Sequence, residues 1–331
     1  MVLGAGTLQR QPVGMHTVLP LRPTLAVGEM HKTSKLSKGE RDFVLSGVRQ
    51  NVREDGRGRF ELRPVLIETG FLIHVHGSAR LTNNLLNTDI IASVKADFSQ
   101  PAKETPNHGK ISVGVKTMNE YTLENKNLDN SLTNKTTILG EMLQRIFSDP
   151  AFLKTLCILP SHHCWLLNID VLIVSSSGSL FDNLVEVIHA ALHSVVLPKV
   201  SVLNGDGGEK ILDMSNDPTA NTYLDTTMLP LCCTLWMLGG VPITDTTLKE
   251  EMCSDSSISI CMDRNHQVCG MYKLGLNGVD PKLFKLCISA TQNIINSVFK
   301  TFDKVLENEK LSKPRRDIQT EEESSVAGWN A

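Results

Sequence analysis

The sequence has few aromatic residues, no long apolar run and none of the short motifs that mark common cofactor and catalytic sites. Phe, Trp and Tyr make up 5% of the chain, which weakens the case for a surface on which nucleic-acid bases stack. No apolar segment reaches the roughly 18 residues of a membrane-spanning helix. A P-loop, a dinucleotide fingerprint and a Gly-x-Ser-x-Gly motif are all missing, so no local pattern favours nucleotide-dependent or serine-hydrolase chemistry.

Neither positive nor negative charge predominates in the sequence. The chain has 33 basic and 36 acidic residues, for a net charge of −3. The whole molecule is therefore not an electrostatic attractor for nucleic acid, and any RNA contact requires a local patch or a partner. At 331 residues the chain can bury a sizeable core and is expected to form two domains.

The cysteines and histidines give no metal-binding pattern. None of the 8 cysteines forms a Cys-x-x-Cys pair, and without a secretory signal they are interpreted as reduced, buried thiols of an intracellular protein. Glu186, His189 and His193 can share one helix face, but a metal site needs a further strong ligand and the order differs from that of zinc hydrolases. A solvated polar face is the favoured interpretation, and we predict no metal and no cofactor.

The most informative segment spans residues 164–200. Residues 165–174 are almost continuously apolar and β-branched, which predicts a strand buried on both faces. Small polar residues at 175–179 end the strand, and apolar residues then recur at helical spacing over 180–197. Ser179 followed by Asp182 is a variant of the N-capping box. A second strand follows at 199–203, so the loop at 175–179 is where any chemistry is expected.

Composition divides the chain into four parts. Residues 1–36 are predicted to be a disordered or wrongly assigned extension, with a translation start at Met30 and a mitochondrial transit peptide as the alternatives. Residues 37–212 are predicted to form the first domain and residues 213–307 the second. Residues 308–331 are charged and lack core residues, which predicts a disordered tail.

Periodicity and turn residues predict the elements of both domains. In the first domain, Ser37 and Glu40 indicate a capped helix over 36–52, and residues 119–136 are predicted to be irregular. The other elements expected there are strands at 71–79 and 90–98 with a link at 81–88, and a helix at 138–147. In the second domain we expect strands at 231–238, 241–244, 258–262 and 267–273, a short helix at 245–253, and a long helix from Asp280–Pro281.

Arginines are concentrated in one short stretch: Arg49, Arg53, Arg57, Arg59 and Arg63. One interpretation is that Asp55 and these arginines tie a turn to the domain by ion pairs. The other is that the arginines contact RNA phosphates.

Five stretches in a fixed order resemble the RNase PH family, and within it the non-catalytic branch found in the ring of the eukaryotic RNA exosome. No single stretch is specific, but their joint order covers about residues 36–305. The stretches are 53–57 with Arg63 and Glu68, 77–80 with 87–89, 169–172 with Asp182, 215–218, and 245–251.

The resemblance implies an α/β (α+β) fold of RNase PH type, with an N-terminal β-α-β domain and a smaller C-terminal α/β domain. It also marks a set of residues as structural motif positions rather than catalytic ones: Asp55, Gly56, Asp170, Asp182, Asp245, Glu250 and Glu251.

The resemblance further implies that this chain is not an enzyme. Active family members bind phosphate with arginines and use an acidic residue beside a Gly-Gly-Thr-Arg-Thr-Ala loop, because the attacking and scissile phosphates repel each other unless donors neutralise them. Here the loop is residues 175–182, with serine at the acid position and Gly178-Ser179-Leu180 in place of the Thr-Arg-Thr run. Residues 127–140, which should supply a phosphate-binding arginine, contain none. We therefore predict no catalytic residues.

The function implied is that of a structural subunit in a six-membered exosome ring, whose channel guides single-stranded RNA for 3′-to-5′ processing and degradation. The expected partners are other RNase PH-like ring subunits, RNA-binding cap subunits and RNA, with no membrane. Ribosomal RNA maturation and mRNA turnover in nucleus, nucleolus and cytoplasm are the expected processes. Candidate RNA-path or ring-interface residues are Arg53, Arg57, Arg63 and Arg80, each with the alternative role of holding its own domain together.

Two other functions compete with this hypothesis. The chain could be an active phosphate-dependent 3′-exoribonuclease of RNase PH type, which would release nucleoside diphosphates from RNA. Alternatively, it could be an interaction module outside the ring that kept the fold, in which case it would not co-purify with ring and cap subunits.

Overall fold

The computed structural model describes residues 36–83, 87–118, 126–204, 210–215, 220–275 and 277–312. Almost all of the predicted N-terminal extension, and the predicted tail from residue 313 onwards, lie outside these ranges. In the part of the chain that is described, no helix is both long enough and apolar enough to cross a membrane.

The described chain forms a mixture of helices and strands. In order they are α1 (Lys38–Arg49), β1 (Leu66–Thr69), β2 (Gly77–Asn83), β3 (Thr88–Ser99), β4 (Lys110–Thr117), α2 (Lys126–Phe147), α3 (Pro150–Thr155), β5 (Cys157–Leu159), β6 (His163–Ser175), α4 (Leu180–His193), β7 (Val196–Leu197), β8 (Val200–Asn204), β9 (Lys210–Met214), β10 (Thr222–Tyr223), β11 (Leu231–Leu238), β12 (Val241–Thr244), α5 (Leu248–Cys253), β13 (Ser256–Met262), β14 (Val268–Leu274) and α6 (Pro281–Ser312).

The first domain is built on a mixed sheet with the order β1-β2-β3-β6-β4, and β5 pairs with the end of β6. The β4–β6 pair is parallel and is connected through α2, as a β-α-β unit requires. The other neighbouring strands are antiparallel. The α+β fold and the β-α-β unit expected from the sequence are therefore confirmed.

The second domain is an antiparallel sheet with the order β12-β11-β13-β14. All of its predicted strands are present, and α5 and α6 follow as expected. One side of β11 contributes Leu231 and Leu235 to a core shared with α6, while Cys232 on the other side belongs to the core of the first domain. Helix α4 thus packs between the first sheet and β11.

Strand β6 differs from its prediction. The residues that face α4 are buried, among them Leu167, Ile169 and Val171, but Asp170 on the opposite face is exposed. The apolar run suggested burial on both faces, yet only one face of the first sheet is covered by helices. Strands β11 and β13 have all of their residues buried, and β11 has α4 on one side and α6 on the other.

Two helix ends were predicted wrongly. Helix α2 begins at Lys126, so the segment expected to be irregular over 119–136 is helical from that residue onward, while 119–125 lie outside the described residues. Polar Asn and Thr residues lower helix propensity without preventing a helix whose later turns bury Leu143 and Ile146. Helix α4 ends at His193 rather than at residue 197, because Ser194 caps it and β7 follows.

The predicted polar face of α4 is also wrong. His189 is 1% exposed and packs against the rings of Phe299 and Phe302 of α6. The helix has few fully solvated positions because it is covered by the first sheet on one side and by β11 and α6 on the other. The alternation of polar and apolar residues along α4 therefore did not show that His189 is buried.

The limits of several strands and of the last helix differ from their predictions by a few residues. Strand β2 starts at Gly77 and continues through Asn83, into the predicted link, of which residues 84–86 lie outside the described part. Strand β9 runs across the predicted boundary at 212/213, because it pairs with β8 in a hairpin. Helix α6 extends five residues past 307, to Ser312.

The cysteines are free thiols, and most of them are buried, as expected. Cys269 is the exception, since it is exposed, and Cys157 is only half-buried.

Candidate functional site at the domain junction

All of the predicted motif residues except Asp170 meet where the two domains join. Three segments converge there: the turn at residues 53–63, the loop and first turn of α4 at 178–182, and the connection from β12 into α5 at 244–251. The contacts between them join residues far apart in the chain.

Arg53 and Glu250 form a buried, bidentate ion pair at this junction. Arg53 Nε donates to Glu250 Oε1 at 2.8 Å and Nη2 donates to Oε2 at 2.6 Å, and the two side chains are 0% and 6% exposed. Arg53 Nη1 also donates to the carbonyl of Thr244 at 3.0 Å. Glu250 is held in place by the capping box of α5, where its carboxylate accepts from the Thr247 N–H.

Asp245 is the second anchor. Its carboxylate accepts from the Arg63 N–H at 2.6 Å and Nε at 2.9 Å, and from Arg57 Nη1 at 3.1 Å. Asp245 has a φ of 48°, in the left-handed region, a conformation that surrounding contacts must hold in place. The three contacts therefore fix both the charge and the backbone of the β12–α5 connection.

Asp55 and Gly56 shape the turn that presents these arginines. Gly56 has a φ of 82°, which suits glycine, and its N–H donates to the Arg53 carbonyl at 2.9 Å. Arg57 Nε donates to Asp55 Oδ2 at 2.8 Å. Burial opposes ionisation of Asp55, but the hydrogen bonds from Arg57 outweigh it and lower the pKa of that carboxyl.

The loop at residues 175–182, where the sequence resemblance places the catalytic groups of active members, is packed tightly against the second domain. Gly178 has a φ of 116°, and a Cβ there would lie 2.2 Å from the Thr246 carbonyl oxygen. The N–H of Ser179 donates to Glu251 Oε1 at 2.7 Å, and Thr246 Oγ1 donates to the same oxygen at 3.2 Å. Burial raises the pKa of Glu251 to about 7, because it outweighs the hydrogen bond from Ser179, which lowers the pKa.

The Glu251 contact changes what the start of α4 can bind. The exposed N–H groups of a helix N-terminus form a natural anion site. In this chain one of the protein's own carboxyl groups takes the Ser179 N–H, so an incoming phosphate would have to displace it.

The predicted capping box at Ser179 is wrong. Ser179 adopts a left-handed conformation and makes no side-chain capping bond to the helix. Its Oγ donates instead to Asp182 Oδ2 at 3.1 Å, and Asp182 also accepts from the N–H and Oγ1 of Thr234 at 2.9 and 2.7 Å. Burial raises the pKa of Asp182, against the stabilising bonds from Thr234. Asp182 thus joins α4 to β11.

Lys135 is a residue that sequence reasoning missed. It is 9% exposed and lines a cavity of about 70 Å³ together with Ser179, Leu180 and Glu251. The sequence predicts an irregular segment at 119–136, and the resemblance implies an arginine at 127–140, so neither expectation singles out Lys135. Recognition of a helix there would have shown that Lys135, Leu139 and Met142 lie on one face.

Two predicted residues lie away from the junction. Arg80 on β2 pairs with Asp89 on β3 through two bonds of 2.8 and 2.9 Å, and its side chain is 41% exposed. Asp170 is exposed on the uncovered face of the first sheet. All four predicted arginines therefore contact carboxylates of this chain, and their role at a ring interface or along an RNA path stays a prediction.

Metal ligands do not cluster within the described ranges. No group of three or more His, Cys, Asp or Glu side chains there is arranged to hold a metal ion.

Two family models match the chain and together cover more than half of it. The 3′ exoribonuclease family, domain 1, matches residues 61–198, and domain 2 of the same family matches residues 229–294. The chain belongs to the 3′ exoribonuclease (RNase PH) family.

Relatives of this RNase PH-family chain are exosome proteins. A Dictyostelium discoideum protein provisionally named exosome complex exonuclease RRP42 is 25% identical, covering 82% of this chain and 98% of the relative. The exosome complex component RRP45A of Arabidopsis thaliana is 24% identical over 86% of this chain and 94% of its own length. The exosome complex component Rrp42 of Methanothermobacter thermautotrophicus is 29% identical over 71% and 83%, respectively.

Solved exosome structures share the fold of this RNase PH-family chain. A chain of an archaeal exosome core matches with a TM-score of 0.64 and 25% identity, covering 80% of this chain and 96% of its own. A chain of the Archaeoglobus fulgidus exosome with RNA bound to the active site matches with a TM-score of 0.63 and 25% identity, covering 80% and 97%.

Proposed function

We propose that this protein is a non-catalytic structural subunit of the RNA exosome ring, which contributes to the channel for 3′-to-5′ RNA processing and degradation. The observation that carries the non-catalytic part is the Ser179–Glu251 bond of 2.7 Å. Through this bond an internal carboxyl group occupies the N–H at the start of α4, while Ser179 stands at the position of the arginine in the Thr-Arg-Thr run of active family members. Phosphorolysis requires both an anion site and cationic neutralisation at the attacking phosphate.

Lys135 does not by itself restore the chemistry. Lys135 and Glu251 line the same small cavity, so the Glu251 carboxyl group would compete with phosphate for the lysine's charge. The acid position of the loop remains a serine, and proton transfer to a leaving 3′-oxygen needs a titratable group.

An exposed apolar strip supports assembly with other subunits. β1 is the outermost strand of the first sheet, paired with β2 alone among the described strands. Leu66 on β1 is 56% exposed and Ile73 beyond it is 79% exposed. Unpaired strand edges and clustered apolar side chains are typical of surfaces that bind a partner.

The proposed partners are other RNase PH-like ring subunits, cap subunits and RNA that passes through the assembled channel. In this proposal Arg80 is the candidate for contact with RNA or a neighbouring subunit, because its side chain is the most exposed among the candidates Arg53, Arg57, Arg63 and Arg80. Nucleus, nucleolus and cytoplasm are the proposed compartments, where ribosomal RNA maturation and mRNA turnover would require it.

The first experiment tests catalysis. The purified chain, alone and with its co-purified partners, is incubated with labelled RNA and inorganic phosphate, and nucleoside diphosphates are measured. We expect no release by the isolated chain. Phosphate-dependent release that is lost in Lys135→Ala would show an active site built around this lysine and would contradict the non-catalytic assignment.

The second experiment tests assembly. Affinity purification of the tagged full chain, followed by mass spectrometry, should recover other RNase PH-like and RNA-binding cap subunits in equal amounts. Recovery of the chain alone, or with partners of other families, would instead favour an interaction module outside the ring.

A further inference from the structure

A second cavity, separate from the one beside Lys135, opens between the turn segment and the last helix. Its volume is about 490 Å³, within the range of roughly 300–1,000 Å³ typical of ligand pockets. One wall is residues 60–67 and the other is α6, and both are largely apolar. The walls include Phe60, Leu62, Val65, Ile294, Val298 and Val305.

The floor of this groove is polar and acidic. Asp182, Glu186 and Asp245 line it, with Arg63 as the basic residue. Asp182 is satisfied by Thr234, and Asp245 is paired with Arg63. Among the described residues no group donates a hydrogen bond to the Glu186 carboxyl.

Arg63 gives a second, independent sign that the groove lacks a partner. Its side chain is 8% exposed, yet Nη1 has no hydrogen-bond partner in the described structure. A buried guanidinium N–H without an acceptor is costly, whereas a backbone carbonyl of a bound segment could satisfy it.

We propose that this groove binds a segment of a partner protein in which one arginine or lysine, flanked by apolar side chains, pairs with Glu186. The apolar flanks would cover Leu62 and Val298 on the two walls. The ion pair would place a cation where the neighbouring groups, Asp182 and Asp245, are both acidic.

The chemistry of the groove favours a protein segment over RNA. Phosphates would meet three carboxyl groups on the floor and aliphatic walls on both sides, an environment that opposes negative charge. The inference does not depend on the proposed ring function, since it concerns the isolated chain and a groove that shares only Ser179 with the loop at 175–179.

The test uses the full chain and an array of acetylated nonapeptides. Each peptide has a central arginine or lysine flanked by two apolar residues, and the array as a whole contains every combination of apolar flanks. A matched array has glutamine at the centre. We expect a subset of the basic peptides to bind at least tenfold more tightly than their glutamine counterparts. Glu186→Gln should abolish that preference, and Leu62→Ser should weaken binding of both arrays.

Controls separate binding from folding. Glu141 is an exposed acid on α2, so Glu141→Gln should leave peptide binding unchanged. Glu186→Gln should leave the thermal midpoint near neutral pH unchanged, because burial beside Asp182 and Asp245 raises the pKa of Glu186 to about 8 and its carboxyl is mostly neutral there.

Proton release gives a readout that a merely structural role would not produce. A bound cation should ionise Glu186, so calorimetric titration near pH 7 in buffers of different ionisation enthalpy should show proton release, which disappears at pH 9. The charged and titratable groups facing Glu186 are Asp182, Asp245, Arg63 and the thiols of Cys232 and Cys233.

Several results would overturn the proposal. The proposal fails if no peptide binds, or if the basic peptides bind no more tightly than their glutamine counterparts. It also fails if the Glu186→Gln variant keeps the preference for a basic centre, or if the chain binds the free cation agmatine as tightly as it binds the basic peptides. Binding that emerges only after residues 313–331 are removed would assign the groove to the chain's own terminus, and would overturn it as well.

Discussion

At the scale of single residues, Arg53 and Glu250 form the most deeply buried ion pair found at the junction, with side chains 0% and 6% exposed. Removal of one partner leaves an uncompensated buried charge, which typically costs about 3–5 kcal/mol. We therefore expect Arg53→Ala to lower the free energy of unfolding by about that amount, measured by urea denaturation.

The matched control is an exposed pair at the same junction. Lys249 Nζ and Glu54 lie 2.9 Å apart, with side chains 59% and 55% exposed. Solvent screens such pairs, so Lys249→Ala should leave the unfolding curve nearly unchanged. Equal losses in the two variants would mean that burial is not what makes the Arg53 pair important.

His189 makes stability depend on pH. Burial lowers its pKa from the ordinary value of 6.5 to about 3, with smaller contributions from His193 and Arg264. The unfolded chain therefore binds a proton below pH 6.5 that the folded chain does not bind until about pH 3. Because the unfolded state is the one that gains protons in this window, stability falls as pH falls, by up to about 1.4 kcal/mol per pH unit.

We expect His189→Leu to remove this dependence. The Nδ1 atom of His189 has no hydrogen-bond partner in the described structure, so the substitution should lower the free energy of unfolding only slightly at pH 7.5. Below pH 6.5 the variant should become progressively more stable than the parent chain. Urea unfolding at several pH values measures the difference. His162→Leu is the control at an exposed position, and a similar gain at low pH there would contradict the role of His189.

At the scale of elements, the loop between β6 and α4 depends on a glycine. An alanine Cβ at Gly178 would lie 2.2 Å from the Thr246 carbonyl, and the φ of 116° disfavours any side chain. We expect Gly178→Ala to destabilise the chain by more than about 1 kcal/mol, and to raise amide hydrogen exchange at Ser179 as the loop moves away from α5.

Gly39 provides the control for that substitution. It lies in α1, and a Cβ there has no atom within 4 Å. Gly39→Ala should stabilise the chain by about 0.5–1 kcal/mol through helix propensity. If both alanines shifted stability in the same direction, close packing at Gly178 would not be the cause.

At the scale of the whole molecule, the two domains are expected to unfold together. Asp245 ties the turn at 53–63 to the second domain, and α6 places Phe299 in one core and Phe302 in the other. Asp245→Asn keeps the left-handed backbone, which Asn tolerates, but removes the charge. We expect calorimetry to show one transition for the parent chain and two for this variant.

The control for domain coupling is an ion pair within one domain. Asp89 pairs with Arg80 between neighbouring strands of the first sheet. Asp89→Asn should lower the midpoint slightly without splitting the transition. Two transitions in this variant too would show that any lost ion pair, rather than the junction, separates the domains.

Local signals in the sequence predicted the elements that depend on nearby residues. The capping box of Ser37 and Glu40 is present because it joins residues three positions apart. Strands β11 and β12 match their predicted limits, since turn residues bound both runs. The joint order of short stretches also identified the family, and this identification required no knowledge of contacts between distant residues.

Long-range contacts decided what these residues do. The Arg53–Glu250 pair spans 197 positions and the Ser179–Glu251 bond spans 72, so no local pattern shows that a carboxyl group takes the N–H at the start of α4. Burial of His189 and of Lys135 likewise depends on which elements cover α4 and α2. By itself the sequence determined the family and most elements, because these follow from periodicity and turn chemistry. Only the tertiary structure decided which charges are paired and which face of each strand is covered, because both depend on the packing of distant segments.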